Sequence, residues 1–449
     1  MINFKDRYSS LDLRLIIAIT ALALGVAGAA LFPKTNELHQ QSSAASFPAV
    51  ACPSVTTGAQ GYAYLPSSTI KVRKIKKGSV ISKPARTYRY PISDPLLVDG
   101  NAQSTIFAES ANGWWASSLC SSGLPDSWFV GGSAGLSSNG YVDLVNSGLS
   151  DSIVELTAFA PAGARAVNAV TVPANSEVRV ALDTLAPGDD LIAVHALTRS
   201  GRITAFLFEL RKKGLRTLGA DFVPATGAPM THVVIPGLAN SNKANGSISH
   251  SVRILVPGAI DATVNVTINS ADGSFTPIGL DNLKVAHGKI VDIPLTNLTL
   301  NSPFTVVLDG DRPILAGVLS QSTKTGPDLA WAGSTQELPL NSPLSINVGG
   351  HAPILSTYGT GSYTVHISYL LNGGAAKSAT ISGSGQLIWS APTSIIKLTV
   401  TSENKGVSAA LAFTPANGSG LSYLPLEQGT ALQKALLPEA DARVISRGQ

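Results

Sequence analysis

Residues 141–163, YVDLVNSGLSDSIVELTAFAPAG, align without a gap to residues 251–273, SVRILVPGAIDATVNVTINSADG, at an offset of 110. Val142 falls on Val252, Gly148 on Gly258, Val154 on Val264, Thr157 on Thr267 and Gly163 on Gly273. A third copy, residues 353–374, reads PILSTYGTGSYTVHISYLLNGG, with Val365 in the place of Val154 and Gly374 in that of Gly163. Each copy reads as a strand, a turn, and a second strand ending in a glycine turn. Ile153–Thr157, Thr263–Thr267 and Thr364–Ser368 alternate with period two and are rich in β-branched residues, as half-buried strands are.

The flanks repeat too. Each copy opens with a strand running into glycine: Trp128–Gly132, Val233–Gly237 and Ile346–Gly350. Each closes with a hairpin, at Leu197–Ile203, Leu308–Ile314 and Val400–Val407, and an aromatic follows at Phe222, Trp331 and Tyr423. Such a unit, with about seven short strands, is the size of a β-sandwich. The expected fold is therefore all-β: tandem immunoglobulin-like β-sandwich domains after a single N-terminal transmembrane helix. The expected boundaries are an N-terminal tip and apolar segment at 1–33, a linker at 34–50 and an irregular β segment with a basic arm at 51–127. Repeats follow at 128–230, 231–343 and 344–430, and a polar tail at 431–449.

Composition agrees with this class. Apolar residues make up 44% of the 449, so the chain can bury cores, while charged residues are only 13%, about half the usual share. The 42 glycines and 27 prolines imply many turns. The net charge of +4 is local in origin. Lys71, Arg73, Lys74, Lys76, Lys77, Lys83, Arg86 and Arg89 lie in one stretch without an acid, and the rest of the chain is net −4. Pro84 argues against a helix there, so the stretch reads as a hairpin or extended arm. A solvated loop is the plain reading. The functional reading is contact with an anionic surface, a wall polymer or glycan, each base adding on the order of 1 kcal/mol. Nucleic acid is not an expected partner, since Tyr88 and Tyr90 make a meagre stacking platform.

Residues 15–32 carry no charge and follow Lys5, Arg7 and Arg14, which places the N-terminus inside and the bulk outside. An uncleaved membrane anchor is the favoured reading. A signal peptide cleaved near Ala27-Gly28-Ala29, leaving a secreted protein, is the alternative. Cys52 and Cys120 are the two cysteines, and in an exported chain they are expected to form a disulfide.

The apolar N-terminus, Leu119-Cys120 shortly before Trp128–Gly132, and Val233–Leu238 opening the next unit together resemble an uncharacterised actinobacterial cell-envelope family classified only as a domain of unknown function. The resemblance covers residues 115–430. It implies an actinobacterial envelope setting and no catalytic activity. The low charge and the basic stretch depart from the family's pattern.

No motif carries chemistry. Gly131-Gly132-Ser133-Ala134-Gly135 has the G-x-S-x-G form of a nucleophile elbow, but no helix is expected after it and the third repeat has His351 at the position of Ser133. The seven histidines, His39, His195, His232, His250, His287, His351 and His366, show no metal-ligand spacing, so no metal or cofactor is expected. Asp309-Gly310-Asp311 and Ala271-Asp272-Gly273 read as turns before calcium loops. Trp114-Trp115 reads as a core or interface anchor before a sugar platform. The function these features favour is a non-enzymatic envelope protein, a stalk of sandwiches that scaffolds or binds. A glycan- or wall-polymer-binding accessory module and an enzyme or sensor with a loop-built site are the rivals.

Overall fold

The computed structural model describes residues 15–24, 41–42, 50–65, 70–75, 81–83, 89–98, 105–111, 113–240, 248–296, 298, 300–322, 327–413, 420–427 and 436–437. The chain forms two units, residues 1–45 with 434–449, and residues 46–433. In the smaller unit residues 15–24 are helical, and Gln41–Ser42 pairs antiparallel with Leu436–Leu437. Among the described residues no helix is long and apolar enough to cross a membrane, and residues 25–33 of the apolar segment lie outside them.

The larger unit is almost wholly β and is built from four copies of one topology. In repeat one the strands are Asp126–Phe129, Tyr141–Asn146, Ser152–Ala160, Ser176–Ala181, Ala193–Ser200, Ile203–Lys213 and Arg216–Val223. The fifth pairs with the first and third, and the second with the fourth and sixth. The sixth also holds the seventh. The result is two sheets, ordered 1-5-3 and 4-2-6-7. Repeat two has the same pairings, its fifth and sixth strands being the two halves of Phe304–Ser322. In repeat three Ile354–Leu371 supplies the second and third strands. Val154, Val264 and Val365 all lie fully buried on third strands, so the self-alignment marks equivalent positions.

The segment 51–127 is a correction to the sequence reading. It is not irregular: Val50–Cys52 pairs with Leu96–Val98, which pairs with Ile70–Lys74, and Gln60–Tyr64 lies between Arg89–Ile92 and Ile106–Ala111, with Trp114–Leu119 outermost. This is the same 1-5-3 and 4-2-6-7 order in shorter strands. The basic stretch interrupts it, which is why self-comparison misses it. The strand order also departs from the immunoglobulin fold, in which the first two strands lie side by side in the sheet order A-B-E-D. Here they sit in opposite sheets. Period-two patterning identifies half-buried strands but carries no information about their order.

The copies close into a ring. The apolar cluster of each copy takes in residues of the next one. Phe206, Phe208 and Phe222 of repeat one enter the core of the N-terminal copy, beside Phe107 and Trp114. Leu319, Leu329 and Trp331 of repeat two enter that of repeat one. Ala412, Leu421 and Tyr423 of repeat three enter that of repeat two. Tyr64, Ile106 and Trp115 of the N-terminal copy complete the circle in the core of repeat three. The aromatic that follows each hairpin is thus an anchor into the preceding copy, and Trp115 is its N-terminal counterpart.

The sheets respond to this arrangement. The inner 4-2-6-7 sheets are buried on both faces in their sixth and seventh strands: Ile203–Phe208, Asp328–Gly333 and Ser408–Phe413 are buried at every residue. The outer third strands alternate, as Ala262–Ser270 does. Two glycines set the contact distances. A Cβ on Gly219, at φ +140°, would lie 2.3 Å from the Leu329 nitrogen, and one on Gly349, at φ +60°, would lie 1.9 Å from Tyr64 Cε1.

Cys52 and Cys120 are joined, with Cα atoms 4.4 Å apart. The bond links the first strand of the N-terminal copy to the end of its seventh, beside the Ala51–Ser121 bridge, and so closes that copy on itself. For a separation of 68 residues the chain-entropy contribution is about 4 kcal/mol. Replacing both cysteines by alanine is therefore expected to lower stability by up to about 4 kcal/mol in denaturant titration. An unchanged midpoint would mean that the pairing of these strands alone fixes the copy.

Candidate functional site

A seventh strand pairs with the sixth along one side only, which leaves a row of main-chain groups without ladder partners. In this fold the four seventh strands meet one another at the centre of the ring. Their free N–H groups are met by two aspartates. Asp328 accepts from Ala220 N at 3.2 Å and Leu329 N at 2.9 Å on Oδ1, and from Leu421 N at 2.9 Å and Trp115 N at 3.4 Å on Oδ2. Asp221 accepts from Trp331 N at 3.0 Å on Oδ2, and from Ser117 N at 3.3 Å and Ser422 Oγ at 2.9 Å on Oδ1. The Ser117 and Ser422 hydroxyls bond each other at 2.8 Å. Every copy thus contributes to one hub. Burial raises the Asp328 pKa to about 7 against the pull of the four N–H groups. Burial, with the neighbouring Asp328 charge adding to it, holds Asp221 well above the usual carboxylate range.

A second buried acid cluster joins the N-terminal copy to repeat one. Glu109 accepts from Thr56 N at 2.7 Å and from Thr56 Oγ1 at 2.8 Å, and that hydroxyl also bonds the Tyr141 OH at 2.8 Å. Arg179 lies 4.3 Å over the Tyr141 ring and 3.7 Å from Asp143, and its Nε donates to Glu177 at 3.2 Å. Ser54 bridges Glu177 and Arg179. Burial raises Glu109 to about 7, and burial with the nearby Glu177 charge raises Asp143.

Beyond the hub, the C-terminal ends of the seventh strands of the N-terminal copy, repeat one and repeat three line a cleft of about 240 Å³. Leu119 lines it together with Phe206, Phe222 and Tyr423, whose side chains fill the cores behind, and Gln336 and Glu427 are among its polar groups. Glu427 is partly buried. Desolvation raises its pKa to about 7, while the Gln336 N–H bond lowers it. Asp126 also lines the cleft, with Oδ1 2.7 Å from His195 Nε2, and the His195 ring stacks on Trp128 with centroids 3.8 Å apart.

The structure disperses the basic stretch. Lys71 and Lys74 are exposed on one strand, Lys74 lying 3.8 Å from Asp94. Arg73 donates to Asn175 of repeat one at 3.0 Å. Arg89 sits 3.4 Å over the Tyr62 ring on the other sheet. Lys83 is on the strand Ile81–Lys83, and Lys76, Lys77 and Arg86 lie outside the described residues, as does His39. Ser133 is buried, and its hydroxyl accepts from Gly135 N at 3.2 Å in a local turn. His195, His232, His287 and His366 each meet one carboxylate at 2.7 Å, and among the described residues no three possible ligands gather for a metal.

Sequence reasoning missed Asp221, Asp328, Glu109 and Glu427. A signal was present for the first three: each is a lone acid beside large apolar residues, as in Ala220-Asp221-Phe222-Val223 and Phe107-Ala108-Glu109. Two outcomes test the hub and the cluster. Asp328→Ala leaves four buried N–H groups without an acceptor, at about 1–3 kcal/mol each if none relaxes, and is expected to destabilise far more than Asp328→Asn, which keeps one oxygen. Equal midpoints in denaturant would contradict the hub. For Glu109 the folded value of about 7 lies above the ordinary 4.5. Its contribution is present below 4.5 and is lost as pH rises through 7. The stability of the wild type relative to Glu109→Gln should fall by on the order of 3 kcal/mol between pH 4.5 and 8, and a constant difference would contradict the shift.

Three solved structures are similar in part. A GH78 family rhamnosidase of Bacillus sp. GL1 is 7% identical, covering 68% of this chain and 55% of its own, with a TM-score of 0.14. The Streptomyces avermitilis α-L-rhamnosidase complexed with L-rhamnose is 9% identical, covering 82% of this chain and 57% of its own, also at 0.14. A tetra-tandem repeat from the extending region of a large adhesion protein is 11% identical, covering 84% of this chain and 92% of its own, at 0.11. The chain spans little more than half the length of either rhamnosidase, and at such scores none of the three bears on its fold or activity. No curated protein matches it. Residues 101–384, well over half the chain, match the family of unknown function DUF5719, and the protein belongs to that family.

Proposed function

We propose that this is an extracytoplasmic, non-enzymatic protein of the cell envelope, a rigid platform that binds a ligand at its axial cleft. The observation that carries the reading is the use made of the buried acids. Asp221 and Asp328 accept main-chain N–H groups from all four copies, so they hold the ring together around one mixed apolar and polar cleft. The Cys52–Cys120 bond supports an oxidising compartment. Attachment to the membrane through residues 15–32, and an actinobacterial setting, belong to the same proposal. So does contact with an anionic wall polymer or glycan, for which Lys71, Lys74 and Arg89 are exposed bases among the described residues.

A hydrolase reading draws on a specific feature, two carboxylates in one cleft. Glu427 is poised near neutrality as a general acid must be, and Asp126 accompanies it. One experiment separates the two. The purified full chain is offered a panel of glycosides, esters and peptides, and in parallel intact cells are treated with external protease. The platform reading expects no turnover and digestion from outside. Turnover abolished by Glu427→Gln would replace it with the hydrolase reading, and protection in intact cells would remove the extracytoplasmic assignment.

A further inference from the structure

Resting on the reading of the axial cleft as a ligand site, we propose that its ligand is a small organic amine, a protonated ammonium group carried on a body of about one ring. Size sets the first limit. The cleft holds about 240 Å³, more than the ~150 Å³ that accommodates benzene in an apolar cavity, yet below the ~300 Å³ at which pockets for drug-sized ligands begin. One ring with a short polar arm fits that range.

Charge sets the second limit. Two carboxylates, Glu427 and Asp126, line the cleft, and among its described lining residues there is no lysine, arginine or histidine. The Asp126 oxygen nearest a base is already engaged by His195 at 2.7 Å. Glu427 accepts a hydrogen bond from the Gln336 N–H, and burial works against its charge. Among the described residues that line the cleft there is no cation to stabilise the ionised form of this carboxylate. An ammonium group supplies that cation and donates up to three hydrogen bonds. An anion entering the same cleft meets like charge, and a neutral ligand leaves Glu427 as it is.

The walls set the third limit. Leu119 lines the cleft beside Phe206, Phe222 and Tyr423, whose side chains fill the cores behind it, so the wall is apolar and suits an apolar body more than a second charge. Because the amine binds the ionised carboxylate, binding releases the proton that Glu427 holds below about pH 7. Affinity therefore rises by roughly tenfold from pH 6 to pH 8.

The test uses the full chain and three probes of one shape, benzylamine, benzyl alcohol and benzoate, read by calorimetry and thermal shift at pH 6 and pH 8. The expected result is that benzylamine binds best at pH 8 and roughly tenfold more weakly at pH 6. Glu427→Gln should weaken benzylamine at least tenfold and remove the pH dependence, while leaving benzyl alcohol unchanged. Asp126→Asn, which keeps the cleft's shape, should cost less. If benzoate or benzyl alcohol binds as well as benzylamine, or Glu427→Gln has no effect, the amine assignment fails while the cleft remains a ligand site. If no probe binds at millimolar concentration, both fail.

Discussion

The structure depends on how its unpaired strand edges are satisfied. An open two-sheet copy ending in an exposed seventh strand would carry a row of N–H and C=O groups able to recruit another chain. Here four such edges face one another, and two carboxylates take five of their N–H groups and that of Leu421, just ahead of the strand Ser422–Pro425. Ladder hydrogen bonding across four converging strands from different sheets would demand matched registers. A carboxylate has four lone-pair directions and tolerates the mismatch. The cost is two acids held away from water, visible in their raised pKa values.

Around that centre the copies lean on each other by one rule. The end of each first strand rests against the second strand of the next copy. Gly132 and Ile192 carbonyls of repeat one accept from the fully buried Arg253 at 2.7 and 2.8 Å. Ser54 of the N-terminal copy reaches Asp143 at 3.4 Å, and Asn347 of repeat three donates to the Leu65 carbonyl at 2.6 Å. Arg253 also meets Asp292 at 2.9 Å and lies 4.9 Å from the Trp331 ring. The chemistry differs at each junction although the geometry repeats. Such differences give each copy a distinct neighbour, which guards against the wrong closure of four similar parts.

Much of this was legible in the sequence. The alternating strands Ile153–Thr157, Thr263–Thr267 and Thr364–Ser368 are third strands of the outer sheets, where one face is wet, and period two reports that. The glycines after each first strand and the aromatics Phe222, Trp331 and Tyr423 were visible as repeats, but their partners lie one copy away, and no local pattern encodes that. A linear stalk was expected for the same reason. Strands buried on both faces, such as Ile203–Phe208, read only as apolar runs. The basic stretch looked like one patch because its residues are close in sequence. Strand alternation and a change of sheet send Arg73 and Arg89 to different neighbours.

Closure of the ring also sets an order of events. Asp328 is held by N–H groups from residues 115 and 421, so the centre cannot form until nearly the whole chain is present. A solenoid gains stability repeat by repeat from its nearest neighbours. This chain behaves as a circle cut at one point: the first copy to emerge waits for the last before its Trp115 finds the core it fills. The Cys52–Cys120 bond needs only residues near the start of the larger unit. It works as a clasp on the waiting copy, keeping its strands in register while the remaining three quarters of the circle arrive.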